Sequence, residues 1–149
     1  MSGTDSFERI ERSVMSTYWD SSALLNAIVS QAVARRLAPG DVTRSHAFCE
    51  VFSLLTGRGI PTSHGRRTLS NDDAARVIEK LAQKLTIRDL TWSETLTALR
   101  EAKSLGVQGG RVHDLMHARS AVLAGVERLL TRNVTDFSGL TGSIPVEAP

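Results

Sequence analysis

Short runs of strand-forming residues alternate with longer helical patterns along this 149-residue chain. That alternation limits the fold more than any other feature. Val14 to Trp19 is β-rich and ends at Asp20. Ser21 or Ser22 then caps a helix through Leu24, Leu25, Ile28 and Val29 to about Arg36, stopped by Pro39-Gly40. Asp41 to Arg44 is a brief strand candidate. Ser45 to Thr56 has helical spacing, and Gly57 is placed to end it. Ser70-Asn71-Asp72-Asp73 opens a helix to about Lys84 with acids at its positive end. Leu85 to Leu90 is strand-like. Thr91-Trp92-Ser93-Glu94 is a capping box for a helix to about Leu105. Gly109-Gly110 precedes a helix from Arg111 to about Ala124, and Glu127 to Thr131 is a strand. Ile144 to Glu147 is a last edge strand, interrupted by Pro145. At the other end, Phe7, Ile10 and Val14 give residues 5–13 the spacing of a short amphipathic helix.

Strands alternating with helices imply an α/β fold, a three-layer α/β/α sandwich on a small, mostly parallel central sheet. The length suits one domain. In such folds ligands bind beyond the carboxyl ends of the strands. Asp20 sits at one such end, and Asn133 and Asp136 follow another.

Composition excludes several classes. Apolar residues make up 41% and charged residues 23%, which argues against global disorder. No apolar run approaches the ~20 residues that span a bilayer. Cys49 is the single cysteine, so no internal disulfide forms, and a cytoplasmic setting is the expectation. The net charge of +2 does not by itself demand a polyanionic partner. The fifteen arginines against three lysines are in keeping with a GC-rich genome. Their distribution says more: Arg58, Arg66 and Arg67, with His64, lie between Gly57 and Thr68 with no acid among them, and the segment reads as a mobile basic loop. Trp19, Trp92, Phe48 and Phe52 are expected to pack in the core or between helices instead of stacking on bases, and Cys49 to be a small buried residue.

Several acids sit where the hydrophobic pattern does not want them. Glu50 lies three residues after Ala47 and four before Leu54, at the border of its helix's apolar face. Asp114 shares a side of its helix with Ala118, Ala121 and Gly125. Each has an ordinary explanation. Glu50 can snorkel to solvent, Asp114 can favour a helix N-terminus, Asp20 can cap a helix, and Asp136 can hold an Asx turn. Parallel-sheet topology can also bring all four to one crevice. There their repulsion requires a divalent cation, and hard oxygen ligands select Mg²⁺ or Mn²⁺. His113 and His117, four residues apart, raise the alternative of a zinc hydrolase. They lack the glutamate of the H-E-x-x-H pattern and an evident third ligand.

The stretches "YWDSSALLNAI", "SHAFCEVFSLLTGRG", "GVQGGRVHDLMHARSA" and "LLTRNVTDFSGL" occur in an order that resembles the PIN-domain family. Within it they resemble in particular the ribonuclease toxins of bacterial VapBC toxin–antitoxin pairs, and the resemblance runs from about Thr17 to Leu140. The resemblance implies a PIN-like fold and divalent-metal-dependent hydrolysis of RNA phosphodiesters. Asp20, Glu50, Asp114 and Asp136 would be the catalytic, metal-holding acids, with Ser22 and Asn133 in support. Asn133 stands where many members carry an acid, which leaves the fourth acidic position divided between Asn133 and Asp136. It also leaves open a catalytically inactive PIN-fold binding module. Arg44, Arg58, Arg66, Arg67 and Arg132 become candidates to hold the RNA backbone. The family further implies a homodimer and a cognate antitoxin, a small DNA-binding partner. A usual beginning of the family would fall at Met15, so residues 15–149 are expected to be the PIN domain. Residues 1–14 are then either a helical extension or the product of an upstream start.

Overall fold

A computed structural model of the protein describes residues 16–149; the expected helix over 5–13 and the proposed extension lie outside them. Five strands form one sheet in which every pairing is parallel: β1 (Thr17–Trp19), β2 (Val42–Thr43), β5 (Thr86–Ile87), β6 (Arg128–Leu130) and β7 (Val146–Glu147). Their order across the sheet is β5-β2-β1-β6-β7. The chain passes from β1 outward through β2 to β5, then returns to the other side of β1 for β6. The sheet's winding therefore reverses at β1, and in open parallel sheets that reversal opens a crevice at the carboxyl ends of the strands. Asp20 is the residue immediately after β1.

Adjacent strand residues point to opposite faces, and the core divides accordingly. Tyr18, Val42 and Leu129 pack with Leu115, Ala118 and Ala121 of α6 (Val112–Ala124) and Ala98 of α5 (Trp92–Glu101). Trp19 and Leu130 pack on the other face with α1 (Ser21–Val29), α3 (Ser45–Ser53) and α4 (Asn71–Ala82). This is the expected α/β/α sandwich with a PIN-like fold. No helix among the described residues is long and apolar enough to cross a membrane.

Several local expectations give way. The helix expected from Ser21 to about Arg36 breaks at Ser30. That residue is extended, and its hydroxyl accepts from the Val33 N–H at 3.3 Å to start a separate α2 (Gln31–Ala34). A serine hydroxyl competes with the backbone in this way, favouring a cap over a helix interior. The helix from Ser45 does not stop at Gly57. It widens into a π-turn over Leu54–Arg58 and ends at Gly59. Gly59 has φ +77°, and a Cβ there would lie 2.7 Å from the Arg67 carbonyl oxygen, so glycine suits both the backbone and the space. The basic segment is a hairpin, β3 (Ile60–Thr62) against β4 (Gly65–Arg67), instead of an irregular loop. Arg66 donates to the carbonyls of Arg58 and Gly59 at 3.2 and 2.9 Å, and Thr62 Oγ1 donates to the Gly65 carbonyl. Cys49 is exposed. Trp92 is 72% exposed, because it is the first residue of α5 and faces away from the sheet side that buries Ala98.

Candidate active site

Asp20 is built in by its neighbours. Its backbone N–H extends the β1–β6 ladder by donating to the Leu130 carbonyl at 3.2 Å. Its carboxylate caps α1, with Oδ1 accepting from Ala23 N–H at 2.9 Å and from Ser22 Oγ–H at 2.7 Å. The side chain is almost wholly enclosed, yet among the described residues Oδ2 takes part in no hydrogen bond. One oxygen therefore anchors the residue and the other remains available.

Ser22 links this acid to the next strand end. Its Oγ accepts from the Arg132 N–H at 2.9 Å and lies 3.3 Å from Thr131 Oγ1, which itself accepts from the Asn133 N–H at 3.0 Å. The Asn133 carbonyl accepts from Asp136 N–H, so the 3₁₀ turn that Asn133 opens and that carries Asp136 (Val134–Phe137) is tied back to Asp20. Arg111, which the sequence reading passed over, holds that turn from the other side by donating to the Asp136 carbonyl at 3.2 Å.

Asp114 lies half-buried in the first turn of α6. Burial raises its carboxyl above the ordinary value. The negative charges of Asp136 and, more weakly, Asp20 push the same way, while His117 and Arg111 oppose them. Asp20 and Asp136 are thus close enough to Asp114 to act on its carboxyl. Glu50 comes from α3 and faces a different set. Ser21 Oγ donates to Oε2 at 3.0 Å, while His117 Nε2 and His46 Nε2 lie 3.4 and 3.7 Å from Oε1. Burial on its own would raise Glu50, but His117, then Ser21 and His46, bring it below the usual glutamate range.

The two histidines of the helix part company. His113 is exposed and stacks on His46, with ring centroids 5.5 Å apart and planes 12° from parallel. His117 is 2% exposed, with Nδ1 2.8 Å from the Tyr18 hydroxyl. Among the described residues no three His, Cys, Asp or Glu side chains close around one point as metal ligands. Asp20 and Asp136 instead lie near enough to act on the Asp114 carboxyl, and Glu50 meets the same helix through His117. The donor chemistry of this group fits a hard divalent cation: among the described residues Asp20 Oδ2 has no hydrogen-bond partner, Glu50 Oε1 is buried without one, and the charges of Asp136 and Asp20 disfavour ionised Asp114.

The predicted arginines disperse. Arg58, Arg66 and Arg132 line one cleft of about 340 Å³ floored by Leu25, Val29 and Ile60, with no acid in its wall. Arg67 is exposed on β4 and does not line it. Arg44 sits at the start of α3 with Nε and Nη1 buried and without a hydrogen-bond partner among the described residues. A cavity of about 650 Å³ along α4 is lined by none of these acids. Two carboxylates with positional roles escaped the sequence reading. Asp89 caps α3 from a distance, accepting from Ser45 N–H and Oγ–H at 2.7 Å each. Asp41 is fully buried and accepts from Thr17 N–H at 3.1 Å, Trp19 Nε1–H at 2.9 Å and Ala38 N–H at 3.0 Å.

No family model matches the chain, and no curated protein matches it in sequence. Solved structures do. A chain of VapBC-1 from nontypeable Haemophilus influenzae is 19% identical with a TM-score of 0.64, over 90% of this chain and 98% of that one. This chain has the fold of that protein. A chain of VapBC2 from Rickettsia felis, whose complex is bound to a DNA fragment from its promoter, is 16% identical with a TM-score of 0.65. That match covers 91% of this chain and 99% of the other.

Proposed function

We propose that the chain is a divalent-metal-dependent endoribonuclease and the toxin of a toxin–antitoxin pair. The observation that carries this reading is the grouping of Asp20, Asp114 and Asp136 at the reversal point of a parallel sheet, with Glu50 held at its side. Hydrogen bonds take up Asp20 Oδ1 and Glu50 Oε2 but leave Asp20 Oδ2 and Glu50 Oε1 without a partner among the described residues, so the site is organised for a ligand of opposite charge. Asp20, Glu50, Asp114 and Asp136 would hold Mg²⁺ or Mn²⁺, and Asn133 can add a neutral carbonyl. Bound there, such a cation supplies Lewis acidity that activates water and offsets charge on a phosphodiester. Ser22 fixes the orientation of Asp20, and Arg111 and Thr131 fix the turn that presents Asp136.

The substrate in this reading is RNA. The Arg58–Arg66–Arg132 cleft begins one residue beyond Thr131, which lies beside Ser22 and so beside Asp20. Its apolar floor suits a base and its guanidinium rim suits phosphates, the pairing that single-stranded nucleic acid requires. The fold shared with two VapBC proteins supports an antitoxin partner, the family resemblance adds homodimerisation, and the single cysteine favours a cytoplasmic setting.

The test is cleavage of end-labelled single-stranded RNA by the purified chain. Cutting is expected with Mn²⁺ or Mg²⁺, none with EDTA, and none by Asp20→Asn. Metal-independent cutting, or RNA binding without any cutting, overturns the proposal; the latter result would favour the inactive module that Asn133 suggests.

A further inference from the structure

Four side chains form a chain of polar contacts around Asp20, and the reading of the acids as a cation site uses only one of them, Glu50. The Tyr18 hydroxyl lies 2.8 Å from His117 Nδ1, His117 Nε2 lies 3.4 Å from Glu50 Oε1, and Ser21 Oγ–H donates to Glu50 Oε2 at 3.0 Å. Tyr18 and Ser21 flank Asp20 in sequence, and His117 is one helical turn after Asp114. The chain of contacts therefore ties together the three elements that carry Asp20, Glu50 and Asp114.

Its middle link is the informative one. Tyr18 is fully buried and His117 nearly so. A ring whose only task was to fill the core would place no bare nitrogen against a carboxylate. Here Nε2 and Oε1 are both buried, face each other, and have no other hydrogen-bond partner among the described residues. Their separation exceeds the ~2.7–3.2 Å of a formed N–H···O bond. It is short enough that a small rotation of Glu50 would close it. With Nδ1 accepting from the Tyr18 O–H, the remaining proton of a neutral ring lies on Nε2 and points at Glu50.

We propose that His117, oriented by Tyr18, is a positioning residue that aims the Glu50 carboxylate at the cation site and is not itself a ligand. The inference rests on the reading of the acids as a divalent-cation site. Metal-bound carboxylates are commonly oriented by such outer hydrogen bonds, and losing one weakens metal binding by about 10–100-fold. His46, more exposed and 3.7 Å from the same oxygen, is the weaker neighbour.

The experiment uses the full chain and Mn²⁺ alone, titrated by calorimetry, with Mn²⁺-dependent RNA cleavage as a second readout. His117→Phe keeps the buried ring and removes the donor; His117→Gln returns an N–H of similar reach. Expected are a roughly 10–100-fold weaker Mn²⁺ affinity for the phenylalanine variant and partial rescue by glutamine. The Mn²⁺ needed for half-maximal cleavage should rise in parallel, with kcat approached again at saturating Mn²⁺. Tyr18→Phe, which removes one oxygen, should weaken Mn²⁺ in the same direction and carries the test if His117→Phe does not fold. Wild-type affinity in both His117→Phe and Tyr18→Phe overturns the inference while leaving the cation site standing. A wild-type chain that takes up no Mn²⁺ at millimolar concentration overturns both.

Discussion

Replacing Asp41 with alanine should unfold the protein far more easily, although Asp41 lies outside the candidate site. The carboxyl is fully buried and receives three N–H groups. Two of the donors, Thr17 N–H and Trp19 Nε1–H, belong to residues no more than 1% exposed. After substitution neither can reach water. Each stranded buried donor costs about 1–3 kcal/mol. With the small cavity added, the loss should be about 3–5 kcal/mol. For a domain of this length that is a fall in Tm of roughly 10–15 °C. Urea unfolding followed by tryptophan fluorescence measures it directly, with a lower midpoint and an unchanged m-value expected. The exposed helix acid Asp72, changed to alanine, should stay within about 0.5 kcal/mol of wild type. Asp41→Ala within about 1 kcal/mol of wild type would refute the reasoning that this carboxyl pins β1 to β2. The consequence reaches function, because β1 delivers Asp20 to the crevice.

Two further outcomes follow from charges elsewhere. Glu94 closes the capping box of α5, and the Arg88 guanidinium, then the Thr91 N–H, hold its carboxyl down at about 2. A depressed carboxyl stabilises the fold in full above its ordinary value of 4.5, and that contribution fades as pH falls toward 2. An NMR titration of Glu94 should show this low midpoint, and Arg88→Ala should return it toward the ordinary range; an unmoved midpoint contradicts the assignment. If Arg58, Arg66 and Arg132 hold three backbone phosphates, changing all three to alanine in an Asp20→Asn background should reduce the slope of log K against log salt by about 2 for single-stranded RNA. An unchanged slope, measured by fluorescence anisotropy, would place the RNA elsewhere.

The features that could be read from sequence share one physical property: their partners are near in the chain. The Thr91–Glu94 capping box needs only residues three apart, as does the α1 cap, although that cap falls on Asp20 and not on Ser21 or Ser22. The alternation of strands and helices is likewise local, and it was enough to imply the parallel sandwich and the crevice beyond β1. What escaped depends on distant partners. The donors to Asp41 include residues 22 and 24 positions away, and the Tyr18–His117 contact spans 99. The split at Ser30 turned on whether one hydroxyl faced solvent or its own backbone. The hairpin at 60–67 was hidden because its order comes from Arg66 bonding to nearby carbonyls, while its composition reads as loop. Trp92 and Cys49 were placed inside by residue type, but hydrophobic character alone does not decide which side of a helix meets the core.

The central claim is that the acids of the crevice do chemistry on RNA through a divalent cation, and one comparison tests it most directly. RNA cleavage at saturating Mn²⁺ should be measured for the wild type and for Asp114→Asn, whose side chain has nearly the same shape. Removing a carboxylate worth several kcal/mol to the reaction predicts a rate lower by about 10²–10⁴-fold. Relief of the repulsion from Asp136 and Asp20 predicts that the metal-free variant melts no lower than wild type. A variant that folds equally well and cuts RNA at the wild-type rate would contradict the account.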